Sequence, residues 1–150
     1  MKRIFFIVVV LSCSAIITGL AGCNKDKECK EWEQTPIEPQ ALLNTTWKCV
    51  GFVNTKSCKI KGSGGTLIFY EDEKLSGRIC NHFAGNHKID FIAGNINICI
   101  YAATEMLCTQ SVGEDLFIET LNKIQFFSMQ GNELRLYYNN NKNYLLFKQL

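Results

Sequence analysis

The chain has 150 residues, 47% of them apolar and 20% charged, with a formal net charge of +2, a size and composition that suit one folded domain and exclude wholesale disorder. Lys2 and Arg3 sit at the extreme N-terminus and account for that excess, so the rest of the chain is electrically balanced. Nucleic-acid binding rests on clustered Lys and Arg, and without such a block nucleic acid is excluded as a partner.

Lys2 and Arg3 are followed by an apolar run from Ile4 to Leu11 and then by smaller residues up to Gly22, the order of an export signal. Ile4 to Gly22 is also close to the roughly 17 to 20 apolar residues that span a bilayer, so length alone leaves a retained anchor open. Leu20-Ala21-Gly22-Cys23 decides between them, because it resembles the lipobox of bacterial lipoproteins at all four positions. A thiolate is the nucleophile that accepts diacylglycerol, and small Ala21 and Gly22 admit the backbone to the peptidase that cuts before the modified Cys23. Burial at about 0.8 kcal/mol per CH₂ makes one acyl chain marginal, whereas several chains on one residue, palmitate among them, anchor stably. The expectation is a signal peptide over 1–22, a lipidated tether over 23–40 and a folded domain over 41–150. The anchored protein is expected in the envelope of a Gram-negative bacterium, at the outer membrane, with its face left open. The charged stretch Asn24 to Glu33 and both prolines, Pro36 and Pro39, suit a solvated tether.

Of eight cysteines, Cys13 lies in the signal and Cys23 takes the lipid, leaving Cys29, Cys49, Cys58, Cys80, Cys99 and Cys108. Export favours disulfides among them, and about 15 full pairings are open. No pair has the short Cys-x₂-Cys spacing of structural zinc, so neither metal nor other cofactor is expected. The spacing of Cys49 and Cys58 suits two strands joined at Asn54-Thr55-Lys56.

Trp47 to Val53 and Thr66 to Tyr70 read as strands separated by the glycine-rich break Lys61 to Gly65. The charged turn Glu71 to Lys74 leads to Leu75 to Ile79, then to an irregular loop at Cys80 to Gly85. Lys88 to Phe91 and Ile96 to Ile100 alternate around the turn Ala93-Gly94-Asn95, with the isoleucines on one face. Such a pattern predicts an antiparallel sheet covered on one side. Ser111 and Glu114 have the spacing of a capping box, and Phe117, Leu121 and Ile124 share one face of the helix it opens. Strands near Gln125 to Met129, Leu134 to Tyr138 and Tyr144 to Lys148 close the chain as a meander, the last two separated by Asn139-Asn140-Asn141.

These landmarks resemble the META domain, the family that includes the bacterial heat-shock protein HslJ, over about Leu42 to Phe147. The resemblance is carried by Trp47, by Leu67 and Phe69, and by Gly77 followed by Cys80-Asn81-His82-Phe83-Ala84-Gly85. Thr104-Glu105-Met106-Leu107-Cys108 then looks like the family's Thr-x-Met-x-Cys element. Glu114, Phe117 and Leu121 match the helix after it, Gly131 to Leu136 the late hairpin and Leu145 to Phe147 the closing strand. Ile79 stands where many relatives have Gly, and His87 where an aromatic is common. The resemblance implies an α+β, mostly β fold: a compact, strongly curved, barrel-like antiparallel sheet with one packed helix. It also implies that Cys80 and Cys108 lie close enough to pair, and that Asn81, Phe83, Gly85, Thr104 and Met106 are the family's motif residues.

No catalytic residue is assigned. His82 and His87 are the only histidines and are expected on an exposed loop as polar surface rather than as metal ligands. Asn81 is expected to brace its loop through local backbone. Gly62 to Gly65 lacks the Lys and the following helix of a phosphate site and reads as a turn, Glu71 to Glu73 as a solvated hairpin tip, and Tyr137, Tyr138 and Tyr144 as sheet packing. The leading expectation is a non-enzymatic, lipid-anchored envelope protein that contacts another envelope component, with a stress role implied by the resemblance alone. The alternative is a binding module for a small apolar or glycan ligand on the curved sheet, and the remotest an envelope thiol enzyme using Cys80 and His82.

Overall fold

The structure is a computed structural model, and it describes residues 38–54, 60–61, 64–106 and 113–150. The export signal, Leu20 to Cys23, the tether as far as Ile37, Cys29, Cys58, Cys108 and Ser111 lie outside the described residues.

A short helix α1 (Pro39–Leu42) leads into β1 (Thr46–Asn54), β2 (Ile60–Lys61), β3 (Thr66–Phe69), β4 (Lys74–Arg78), β5 (His82–Asp90) and β6 (Asn95–Ala103). Helix α2 (Glu114–Leu121) is followed by β7 (Phe126–Gln130), β8 (Glu133–Tyr138) and β9 (Asn143–Gln149). Pro39 opens α1, the one helical position where its missing N–H costs nothing. Leu42 at the end of α1 is fully buried, and its carbonyl accepts the Trp47 indole N–H at 3.1 Å.

Among the described residues every strand pair is antiparallel, in the order β2-β1-β3-β4-β5-β6-β7-β8-β9, and β1 also pairs with β9 from Trp47↔Gln149 to Asn54↔Asn143. That last pairing closes the sheet into a ring with β2 laid beside the far end of β1. The strand periodicity predicts a sheet with one covered face; the covered face proves to be the inside of the ring. Closure satisfies the edge hydrogen bonds that an open sheet leaves exposed.

Alternation within the strands fills the ring. On β6, Ile96 and Ile98 are buried and Asn97 and Cys99 exposed, as their period-two spacing predicts. Leu134, Leu136, Leu145 and Phe147 from the meander join Trp47, Leu67, Phe69 and Leu75 in one core, each such side chain stabilising the fold by about 1.5 to 3 kcal/mol. On β1 the register shifts between Cys49 and Gly51, and this bulge reverses the alternation. Phe52 consequently packs against the core, and Val53 falls into a separate cluster with Tyr144 and Leu146.

The ring is weakest between β6 and β7, which pair only at Asn95↔Phe126, and α2 lies between the chain segments leaving one and entering the other. Phe117 of α2 is fully buried, with the rings of Phe52, Phe83 and Phe147 at centroid distances of 6.4, 6.1 and 6.2 Å. Asn122, which ends the helix, accepts the Ile100 N–H on its side-chain oxygen at 2.8 Å, giving the open stretch of β6 a partner.

Candidate functional site

Three segments meet at Asn81: the β4–β5 connection, the residues after β6, and the start of α2. The Asn81 side-chain oxygen accepts the Met106 backbone N–H at 2.7 Å and the Thr104 hydroxyl at 3.1 Å. Thr104 Oγ1 in turn accepts the His82 N–H at 3.1 Å. The Asn81 backbone N–H and side-chain Nδ2 donate to the two oxygens of Glu114, at 2.8 and 3.0 Å. Glu114 is only 7% exposed, so these donors replace the water its carboxylate gives up on burial.

The capping-box expectation is corrected here. The residue before α2 is Gly113 in a left-handed conformation, with no side-chain cap, and the Glu114 carboxylate reaches across the fold to Asn81 instead. Asn81 braces its own loop, its carbonyl accepting the Ile79 N–H at 3.2 Å, and beyond that expected role it ties down segments 25 and 33 residues away. Sequence spacing carries no signal for such bonds beyond the joint presence of the two motifs.

The other motif residues act sterically. A Cβ on Gly77 would stand 2.1 Å from the Phe83 ring, and one on Gly85 would stand 2.4 Å from the Cys99 carbonyl oxygen. Gly85 lies at the register shift between β5 and β6. Thus Phe83 covers Gly77, and Gly85 admits the neighbouring backbone. The segment expected as a loop from Cys80 to Gly85 is strand from His82 onward, because its N–H and C=O groups join the ladders to β4 and β6.

The two histidines do not converge. His82 is exposed, whereas His87 is 5% exposed and points into the ring, which corrects the expectation of two surface histidines. Its Nε2 donates to the Tyr70 carbonyl at 2.9 Å, its ring stands edge-on to Phe69 at 5.2 Å, and its buried Nδ1 has no partner. Burial, the largest influence, lowers its pKa. His87 therefore fills an aromatic position as a neutral ring.

Cys80 is disulfide-bonded, so its sulfur is no nucleophile while that bond stands. Cys49 and Cys99 keep their thiols, the first inside the ring and the second on its outer surface. Opposite faces of the sheet keep these two apart. The tyrosines pack as expected: Tyr144 is 5% exposed, its ring lies 5.4 Å from that of Tyr137, and the Arg135 guanidinium stands 4.9 Å above it. The tip at Glu71 to Glu73 is solvated.

A cavity of about 530 Å³ opens beside α2, lined by Phe52, Leu116, Thr120, Lys123, Gln125, Tyr138, Asn139 and Asn140. Its far rim is the turn between β8 and β9, where Asn139, Asn140 and Asn141 all adopt left-handed backbone, with φ of 55°, 53° and 61°. Sequence reading took this asparagine run as a separator only.

Comparison with known proteins gives a consistent family. The family model described as "META domain" matches residues 40–150. A Tannerella forsythia protein named "Putative lipoprotein" is 24% identical over 148 residues, 95% of this chain and 94% of its own. Among solved structures, a DUF4847 family protein from Bacteroides vulgatus superposes with a TM-score of 0.58 at 20% identity, over 73% of this chain and 94% of its own. A Burkholderia xenovorans protein superposes with a TM-score of 0.62 at 19% identity, over 84% and 97%. At these identities the superpositions speak to fold alone.

Proposed function

This chain belongs to the META domain family, and from that premise we propose that it is a lipoprotein held in the bacterial outer membrane by acylated Cys23, acting by contact rather than by catalysis. The observation that carries the reading is Leu20-Ala21-Gly22-Cys23 directly behind a basic and apolar leader. The Tannerella forsythia relative, named as a lipoprotein and matching along nearly its whole length, supports it. The non-catalytic half is supported by how the motif residues are spent. Asn81, Thr104 and Glu114 bond to one another, and Gly77 and Gly85 make room for neighbours, so the family signature serves the fold. Its role is to present the ring to another envelope component, with a part in envelope stress.

The test is Cys23→Ser in the native host with labelled palmitate. The expected result is loss of label, loss of cleavage before residue 23 and release from the membrane fraction. Unchanged processing at the same bond, with the variant still membrane-bound, overturns the anchoring. Whole-cell crosslinking that repeatedly captures one envelope protein supports the contact role.

A further inference from the structure

We propose that the cavity between α2 and the β8–β9 turn is a binding site for a neutral saccharide of one or two rings. The proposal extends the non-catalytic role above, and it rests on that reading only for the compartment in which the sugar is met. At about 530 Å³ the space falls within the range of about 300 to 1,000 Å³ usual for small-molecule sites.

The lining sets the ligand class. Three of the lining residues, Gln125, Asn139 and Asn140, carry side-chain amides, each with paired donors and an acceptor, the complement of neighbouring hydroxyls that both donate and accept. Phe52 and Tyr138 supply aromatic surface for the C–H face of a sugar ring, and burial raises the Tyr138 pKa, keeping its hydroxyl protonated. Lys123 is the one cation of the lining and is ion-paired with Glu119, so no uncompensated charge calls for an anion. Leu116, 55% exposed, leaves an apolar lip on the helix side.

The turn adds an independent argument. The β5–β6 and β7–β8 hairpins place glycine at their left-handed positions, Gly94 with φ 68° and Gly131 with φ 58°, and the β3–β4 hairpin places a single residue with a Cβ there, Glu73 with φ 62°. At the β8–β9 turn three asparagines take that conformation, at roughly 1 to 2 kcal/mol each for a residue with a Cβ, somewhat less for asparagine. Glycine is the cheaper choice wherever backbone shape alone is needed. What asparagine adds is the side-chain amide, and Asn139 and Asn140 are both lining residues of the cavity. The groove of about 550 Å³ beside the β3–β4 hairpin makes the contrast. Six of its polar side chains are bonded in pairs, Tyr70 to Ser76, Asn44 to Glu71 and Lys74 to Asp72.

The test is calorimetric titration of the purified full chain, in a detergent without a sugar headgroup, with N-acetylglucosamine, cellobiose and maltose, and with glucuronate as the charged comparison. The expected result is saturable one-to-one binding of a neutral sugar with a Kd below about 10 mM. Asn140→Gly weakens it about tenfold while the thermal midpoint stays level or rises, and Leu116→Arg, on an exposed position, abolishes it. Three outcomes overturn the proposal: no neutral sugar saturating, glucuronate binding better than the neutral sugars, or binding indifferent to both variants. None of these bears on Cys23, and a failure of lipidation leaves the titration unaffected.

Discussion

The buried carboxylate of Glu114 holds Asn81 twice, by its backbone N–H at 2.8 Å and by its side-chain amide at 3.0 Å. Through this pair the first turn of α2 is fastened to the start of β5. A carboxylate deep in the fold is tolerated only with such donors, so the two residues stabilise the domain as a unit. Glu114→Ala and Asn81→Ala are each expected to cost about 2 to 3 kcal/mol, the range for hydrogen bonds to charged groups and the groups left unmet. The double variant is expected to cost clearly less than the sum of the two. Urea unfolding of the four proteins checks this, and strict additivity contradicts the coupling.

Gly85 is expected to resist replacement. A methyl group there meets the Cys99 backbone, which has no rotamer by which to yield, so Gly85→Ala is expected to cost about 1 to 3 kcal/mol or more. Gly64→Ala, with nothing within 4 Å, is the control and stays within about 0.5 kcal/mol of the parent. Thermal unfolding of both variants gives the comparison.

His87 predicts a loss of stability in acid. Its pKa is lowered in the folded state, so the unfolded chain, with a value of about 6.5, takes up the proton first. Its contribution is therefore complete above about pH 6.5 and declines as pH falls from there through the depressed folded value. Urea midpoints at about pH 7.5 and about pH 5 are expected to differ more in the parent than in His87→Phe, which keeps an aromatic ring without the proton. Equal differences would remove His87 as the cause.

The cysteines are expected to separate by reactivity. In the native protein, iodoacetamide labels exposed Cys99 rapidly, whereas Cys49, 2% exposed, reacts only on unfolding. Peptide mapping without reductant is expected to recover Cys80 joined to Cys108, the pairing implied by the family motifs. A Cys80 peptide linked to Cys29 or Cys58 instead would redirect the bridge and leave the two thiol assignments standing.

Much of the fold was readable along the chain because its signals are local. Ile96 and Ile98 alternate inward, the meander from Glu133 to Gln149 follows its period-two pattern, and Phe117 and Leu121 mark the buried face of α2. What was misread or missed depended on partners distant in sequence. Nothing near Glu114 shows that its carboxylate goes to Asn81 rather than to a helix cap. Nothing near His87 shows that its ring turns inward onto Phe69. The cavity draws its lining from β1, α2 and the β8–β9 turn, and no spacing rule connects Phe52, Leu116 and Asn140.

By itself the sequence determined most of the strands and the apolar stripe of the helix, since these depend on residue type, period and immediate neighbours. Only the tertiary structure decided that the sheet closes through β1 and β9, that the motif residues brace one another, and that three asparagines in left-handed backbone border a cavity. Those outcomes rest on contacts between residues tens of positions apart, and periodicity within a segment does not specify which distant segment will cover it.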